Sequence, residues 1–88
     1  MNAVEVSIWM QSKLNSEGCL YQDDVVDYLV RASENSLLRE NNDGNLVLES
    51  KLLTEFRKLT KDDVVWVKPY KYWRFRVLED EPSRDARG

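Results

Sequence analysis

Apolar positions recur along the chain at two periods, and the switch between them divides it into elements. Residues 3–15 place Val6, Trp9, Met10 and Leu14 on one face of a helix, with Glu5, Gln11, Ser12 and Lys13 on polar positions. Ser16-Glu17-Gly18 closes that helix, because glycine accepts the left-handed backbone that follows a helix end. Cys19-Leu20-Tyr21 reads as a short extended connector. A second helix, from about Asp23 to Ala32, carries the stripe Val25, Val26, Leu29, Val30. Asp23 and Asp24 fall in its first turn, where the helix dipole favours negative charge, and Asp27 and Arg31 form an i,i+4 pair.

Leu37-Leu38 and Leu46-Val47-Leu48 flank Asn41-Asn42-Asp43-Gly44-Asn45, residues that tolerate the backbone of a tight turn. The segment 37–48 is therefore expected as a small hairpin, with a helical turn as the alternative. A third helix runs from about Glu49 to Thr60, burying Leu52, Leu53, Phe56 and Leu59 and leaving Lys51, Thr54, Glu55, Lys58 and Lys61 outside. The last element is expected as a hairpin of Val64–Lys68 and Tyr72–Val77 joined at Pro69-Tyr70, with proline suited to the second position of a tight turn. If Lys68 and Lys71 close the turn, Trp66 lies opposite Trp73 and Val64 opposite Phe75, all four facing the core. Val65, Val67, Tyr72, Arg74 and Arg76 then face outward. Residues 79–88 have no apolar pattern and are expected as a mobile charged tail on a single globular domain spanning 1–78. The fold class is α+β: three helices and a C-terminal β-hairpin.

Composition agrees with one modest core. Apolar residues make up 42% of the 88, among them three Trp, four Tyr and two Phe, each burying on the order of 150–250 Å². A single cysteine, Cys19, excludes an internal disulfide and points to a reducing compartment; it reads as a small buried residue. The N-terminus has no basic flank or signal-length apolar run, and the longest apolar run, Val64–Val67, is far too short to span a bilayer. The expectation is a soluble, cytoplasmic protein that engages no membrane.

The chemistry that the residues exclude is broad. With no histidine, the commonest general base and metal ligand are both missing, and Cys19 has no imidazole to deprotonate it. Asp23, Asp24 and Asp27 could share a hard cation, but helix-dipole and i,i+4 placement already account for them. The 41–46 turn echoes a calcium loop, yet Arg39 and Ser50 stand where that loop needs its first and last oxygen ligands. No glycine-rich phosphate loop exists. No catalytic residue, metal or cofactor is expected, and the protein is expected to work by binding.

Charge suggests the class of partner without identifying it. Net charge is −3, but residues 57–76 carry seven Lys/Arg against two Asp, while residues 1–56 carry four Lys/Arg against ten Asp/Glu. A basic segment on an acidic body suits a phosphate backbone, an acidic protein surface, or the acidic half of a second copy in a homodimer. The candidate contact residues are Lys51, Thr54, Lys58 and Lys61 on the third helix and Lys68, Tyr70, Lys71, Tyr72, Arg74 and Arg76 on the hairpin.

The order helix, short extended segment, helix, helix, basic hairpin is similar to a winged-helix domain. That resemblance implies a third helix facing a DNA major groove, with the Lys68–Lys71 turn as a wing beside the phosphates. Glu49 and Glu55 on that helix depart from the pattern, and a 37–48 hairpin is an insertion into it. Trp9-Met10, Gly18 to Asp23, Gly44-Asn45-Leu46, Leu53 to Thr60, Val65-Trp66 and Trp73-Arg74 also resemble a small uncharacterised bacterial family of the kind carried on integron gene cassettes. This second resemblance implies a shared fold and transfers no functional residues.

Overall fold

A computed structural model describes residues 1–80 and 82–86. The chain runs α1 (Ala3–Glu17), β1 (Cys19–Tyr21), α2 (Gln22–Arg31), β2 (Leu38–Glu40), β3 (Leu46–Leu48), α3 (Ser50–Thr60), β4 (Val64–Val67), β5 (Tyr72–Phe75) and β6 (Asp85–Ala86). The α+β expectation holds, with three helices and a C-terminal hairpin.

Local chemistry fixes the ends of α1. Asn2 and Glu5 form a reciprocal capping box, the Asn2 side chain accepting from the Glu5 amide at 2.9 Å. At the other end Gly18 adopts φ 81° and its N–H donates to the Leu14 carbonyl at 2.8 Å. Val6, Met10 and Leu14 are buried as the spacing predicts, and Trp9 stacks on Tyr28 of α2 with ring centroids 3.9 Å apart.

Between α2 and α3 the chain forms the small hairpin rather than the helical turn. β2 and β3 pair antiparallel with Leu38 opposite Leu48. The Asn41 side chain accepts from the Asp43 and Asn45 amides at 2.9 and 3.0 Å, and Gly44 takes φ 80°.

The second sheet has the order β1-β5-β4-β6, so the first strand lies against β5 while β4 is an inner strand. The hairpin register is the expected one: Trp66 opposite Trp73 and Val64 opposite Phe75. Leu20 of β1 completes the row beside Trp73, and the edge of Phe56 from α3 meets the Trp73 ring at 5.1 Å. One turn of the hairpin differs in detail. Lys68–Tyr70 form a short 3-10 segment, and Lys71 takes the left-handed conformation at φ 56°.

Four side-chain assignments need correction. Val65 and Val67, expected to face outward, are fully buried: the run Val64–Val67 has no polar position, and both faces of β4 are covered. Phe75, expected in the core, is 39% exposed at the end of its strand. On α3, Leu59 is 40% exposed while Thr60 is buried, its hydroxyl donating to the Phe56 carbonyl at 2.8 Å.

The segment expected as a mobile tail makes defined contacts. Its described residues, 79, 80 and 82–86, turn back along the hairpin, and β6 pairs in parallel with β4, Trp66 against Asp85. The Trp66 amide donates to the Arg84 carbonyl at 2.7 Å. Glu81, Arg87 and Gly88, part of the same expectation, lie outside the described residues.

Two substitutions separate the sequence stripe from the observed one. Phe56→Ala removes a fully buried ring and is expected to cost about 3–5 kcal/mol, a large share of a small domain's stability. Leu59→Ala is expected to cost under about 0.5 kcal/mol, since that side chain keeps much of its solvent contact. Urea denaturation of both variants measures the difference.

Candidate functional site

Helix α3 presents Lys51, Thr54, Lys58 and Lys61 on its exposed side, together with Arg57, which the periodicity did not single out. The two carboxylates that would oppose an anionic partner are both engaged. Glu49 is the N-cap, its carboxylate accepting from the Lys51 amide at 2.8 Å, and that bond holds its pKa below the ordinary value. Glu55 accepts from the Lys58 ammonium at 2.8 Å, one helical turn away.

α3 leads through β4 to the hairpin tip, where Lys68, Tyr70 and Lys71 are exposed, Tyr70 at 67%. Among the described residues no carboxylate pairs with Lys68 or Lys71. Tyr72 is half-buried, its ring 5.0 Å from Tyr21 and 6.5 Å from Tyr70, so three tyrosines line one end of the sheet. The tip is held close to the body, because the Gln22 amide at the start of α2 donates to the Lys71 carbonyl at 2.9 Å.

The strand arginines behave differently from the tip lysines. Arg74 makes a two-pronged pair with Asp80, its two terminal nitrogens donating at 2.9 and 2.8 Å. The side chains are only 21% and 10% exposed. Asp80 also accepts from the Val77 amide at 2.8 Å. The Arg74 guanidinium, then the Val77 amide, pull the Asp80 pKa from its ordinary 3.8 down to about 2. Arg76 donates to the Ser83 carbonyl at 2.8 Å, and its amide donates to the Asp63 carbonyl at 2.7 Å. Both arginines are thus committed to the returning chain, while the α3 cations and the tip remain on the surface.

The acidic residues gather elsewhere. Asp23, Asp24 and Asp27 are exposed on α2, Asp27 pairing with Arg31 at 3.2 Å. Cys19 is half-buried on β1. Among the described residues no helix is long and apolar enough to cross a membrane, and no three His, Cys, Asp or Glu side chains group as metal ligands do.

Fold and surface together define a small α+β protein with an exposed, lysine-bearing helix and hairpin tip. The chain belongs to a family of unknown function (DUF6953), whose model matches residues 2–75. No curated protein and no solved structure matches it.

The Arg74–Asp80 pair gives a pH signature. Since Asp80 ionises more readily in the folded chain, the pair stabilises the fold fully above about pH 4, and that stabilisation disappears as pH falls towards about 2. Thermal melts over this range should show a decline in wild type that is shallower in Asp80→Asn, which lacks the titrating group.

Proposed function

We propose that this protein is a non-enzymatic binding module that contacts duplex DNA through α3 and the hairpin tip. The observation that carries the reading is the pair of lysines at the tip, Lys68 and Lys71, which have no carboxylate partner among the described residues and are reached directly from a helix whose exposed positions are Lys51, Thr54, Arg57, Lys58 and Lys61. Their chemistry suits phosphate oxygens, with Thr54 and Tyr70 as neutral donors. The sheet order β1-β5-β4 supports a winged-helix-like arrangement, with α3 as the groove-facing helix and the β2–β3 hairpin as an insertion before it. This part of the reading is analogy of fold, and the lysines are its chemical content. Arg74 and Arg76 leave the contact set, since the returning chain already binds them. On this reading the protein is a bacterial, cytoplasmic one that needs no cofactor. Its resemblance to integron-cassette proteins belongs to the same reading.

A second reading rests on the Tyr21–Tyr72–Tyr70 row. Exposed tyrosines flanked by lysines also suit an acidic protein surface, including the Asp23, Asp24 and Asp27 face of α2 in a second copy. Val65 and Val67 take no part, being buried.

Fluorescence anisotropy with a random duplex, titrated at several salt concentrations, tests the first reading. With roughly four phosphate contacts, log affinity should fall against log salt with a slope of about −4. Lys68→Ser with Lys71→Ser should flatten the slope by about 2 and keep the fold. No binding at low salt, or an unchanged slope in the double variant, rejects DNA contact through the tip. A dimer at both low and high salt in sedimentation, lost in Tyr70→Ser and indifferent to DNA, favours the second reading instead.

A further inference from the structure

Between α3 and the sheet lies a cavity of about 310 Å³ with two different walls. One wall is aromatic and aliphatic: Leu53 and Phe56 from α3, Trp66 from β4 and Trp73 from β5. The tryptophan rings sit 4.6 Å apart at 46°, and Trp66 is only half-buried, which leaves part of a ring face open to the cavity. The other wall is charged, with Arg57 from α3 and Arg84 and Asp85 from the returning chain.

Arg84 is held as a fixed donor. One terminal nitrogen donates to the Thr60 and Val64 carbonyls at 2.8 and 3.1 Å, and the other donates to the Thr60 hydroxyl at 3.0 Å. Its guanidinium also lies 5.9 Å from the centre of the Phe56 ring. These partners are neutral, so they set its position without cancelling its charge, and among the described residues it has no ion pair. Burial, then repulsion from Arg57 and Arg76, lowers its pKa, while Asp85 opposes that shift. Arg57 and Arg84 line the same cavity and Arg57 repels Arg84, a repulsion that an anion between them would relieve.

A second, independent feature points the same way. Gln22 is 9% exposed and lines this cavity, yet its side-chain amide has no hydrogen-bond partner among the described residues. Its polar atoms are not sealed from solvent, so the amide is free to hydrogen-bond a molecule in the cavity.

We propose that this cavity binds a small planar organic monoanion, an aromatic carboxylate of one or two fused rings. Its ring packs against Trp66 and Trp73, and its carboxylate lies between Arg57 and Arg84 within reach of the Gln22 amide. Size and charge select this class. The volume is near the lower limit of roughly 300 Å³ for small-molecule sites, which excludes large cofactors. Asp85 offsets one of the two arginines, leaving one positive charge to be matched, so a monoanion fits better than phosphate. The site uses neither the tip lysines nor the outer face of α3 beyond Arg57, and it stands whether or not the protein binds DNA.

The probes are 2-naphthoate, its neutral isostere 2-naphthamide, acetate and inorganic phosphate, read by NMR of the tryptophan indole N–H signals. 2-Naphthoate should shift the Trp66 and Trp73 signals saturably. 2-Naphthamide should bind roughly tenfold more weakly, having lost the charge-assisted bonds. Acetate and phosphate should leave both signals in place. Arg57→Gln, at an exposed position, should weaken 2-naphthoate roughly tenfold without changing 2-naphthamide. Asp85→Asn should tighten 2-naphthoate and provides the measurement if Arg57→Gln does not fold. Equal binding of acid and amide, a phosphate response as strong as that of 2-naphthoate, no effect of the variants, or unmoved tryptophan signals overturns the proposal.

Discussion

The contact between Phe56 and Trp73 fixes how helix and sheet meet, and the surface chemistry follows from it. The two rings meet edge to face at 5.1 Å and 71°, a geometry that adds about 0.5–1.5 kcal/mol beyond the area it buries. Trp73 is itself set by the strand register, with Leu20 on one side and Trp66 on the other. Once Phe56 points into the sheet, helical geometry leaves Lys51, Thr54, Lys58 and Lys61 outside and brings Arg57 to the rim of the cavity. α1 backs the same helix from the other side, burying Val6, Met10 and Leu14.

Cations from residue 51 onward include two populations in different surroundings. Arg74, Arg76 and Arg84 bind the returning chain or are bound by it, through a carboxylate, main-chain carbonyls and a threonine hydroxyl. Arginine suits this task because its planar fork holds several acceptors at once. The lysines at 51, 61, 68 and 71 stay in water, where a flexible ammonium suits an anion that arrives from outside. A charge count along the sequence merges these populations, and the structure separates them.

Much of the architecture was legible because it is local. Helix periods, the Asn41–Asn45 turn and the turn at Pro69-Tyr70 each leave a signal within a dozen residues, and each became the expected element. The failures involve contacts distant along the chain. The outward face of β4 was read from the hairpin register alone, although the run Val64–Val67 is apolar throughout; Val65 and Val67 are buried, and residues 85–86 return to pair along its other edge. A polar, apolar-poor segment gives no pattern from which such pairing could be read. Leu59 and Thr60 exchanged places because α3 ends there, and the threonine hydroxyl caps a carbonyl of its own helix while also receiving Arg84. For the cavity, Arg57 and Gln22 were visible only as one more cation and one more helix residue. Nothing local marks that Arg84 would join them.

The family match ends at Phe75, short of the residues that clamp Arg74 and supply Arg84 and Asp85. The aromatic wall of the cavity and Arg57 therefore lie inside the matched span, and Arg84 and Asp85 outside it. A change confined to the last dozen residues would leave the tryptophan shelf and Arg57 in place and alter only the charges opposite them.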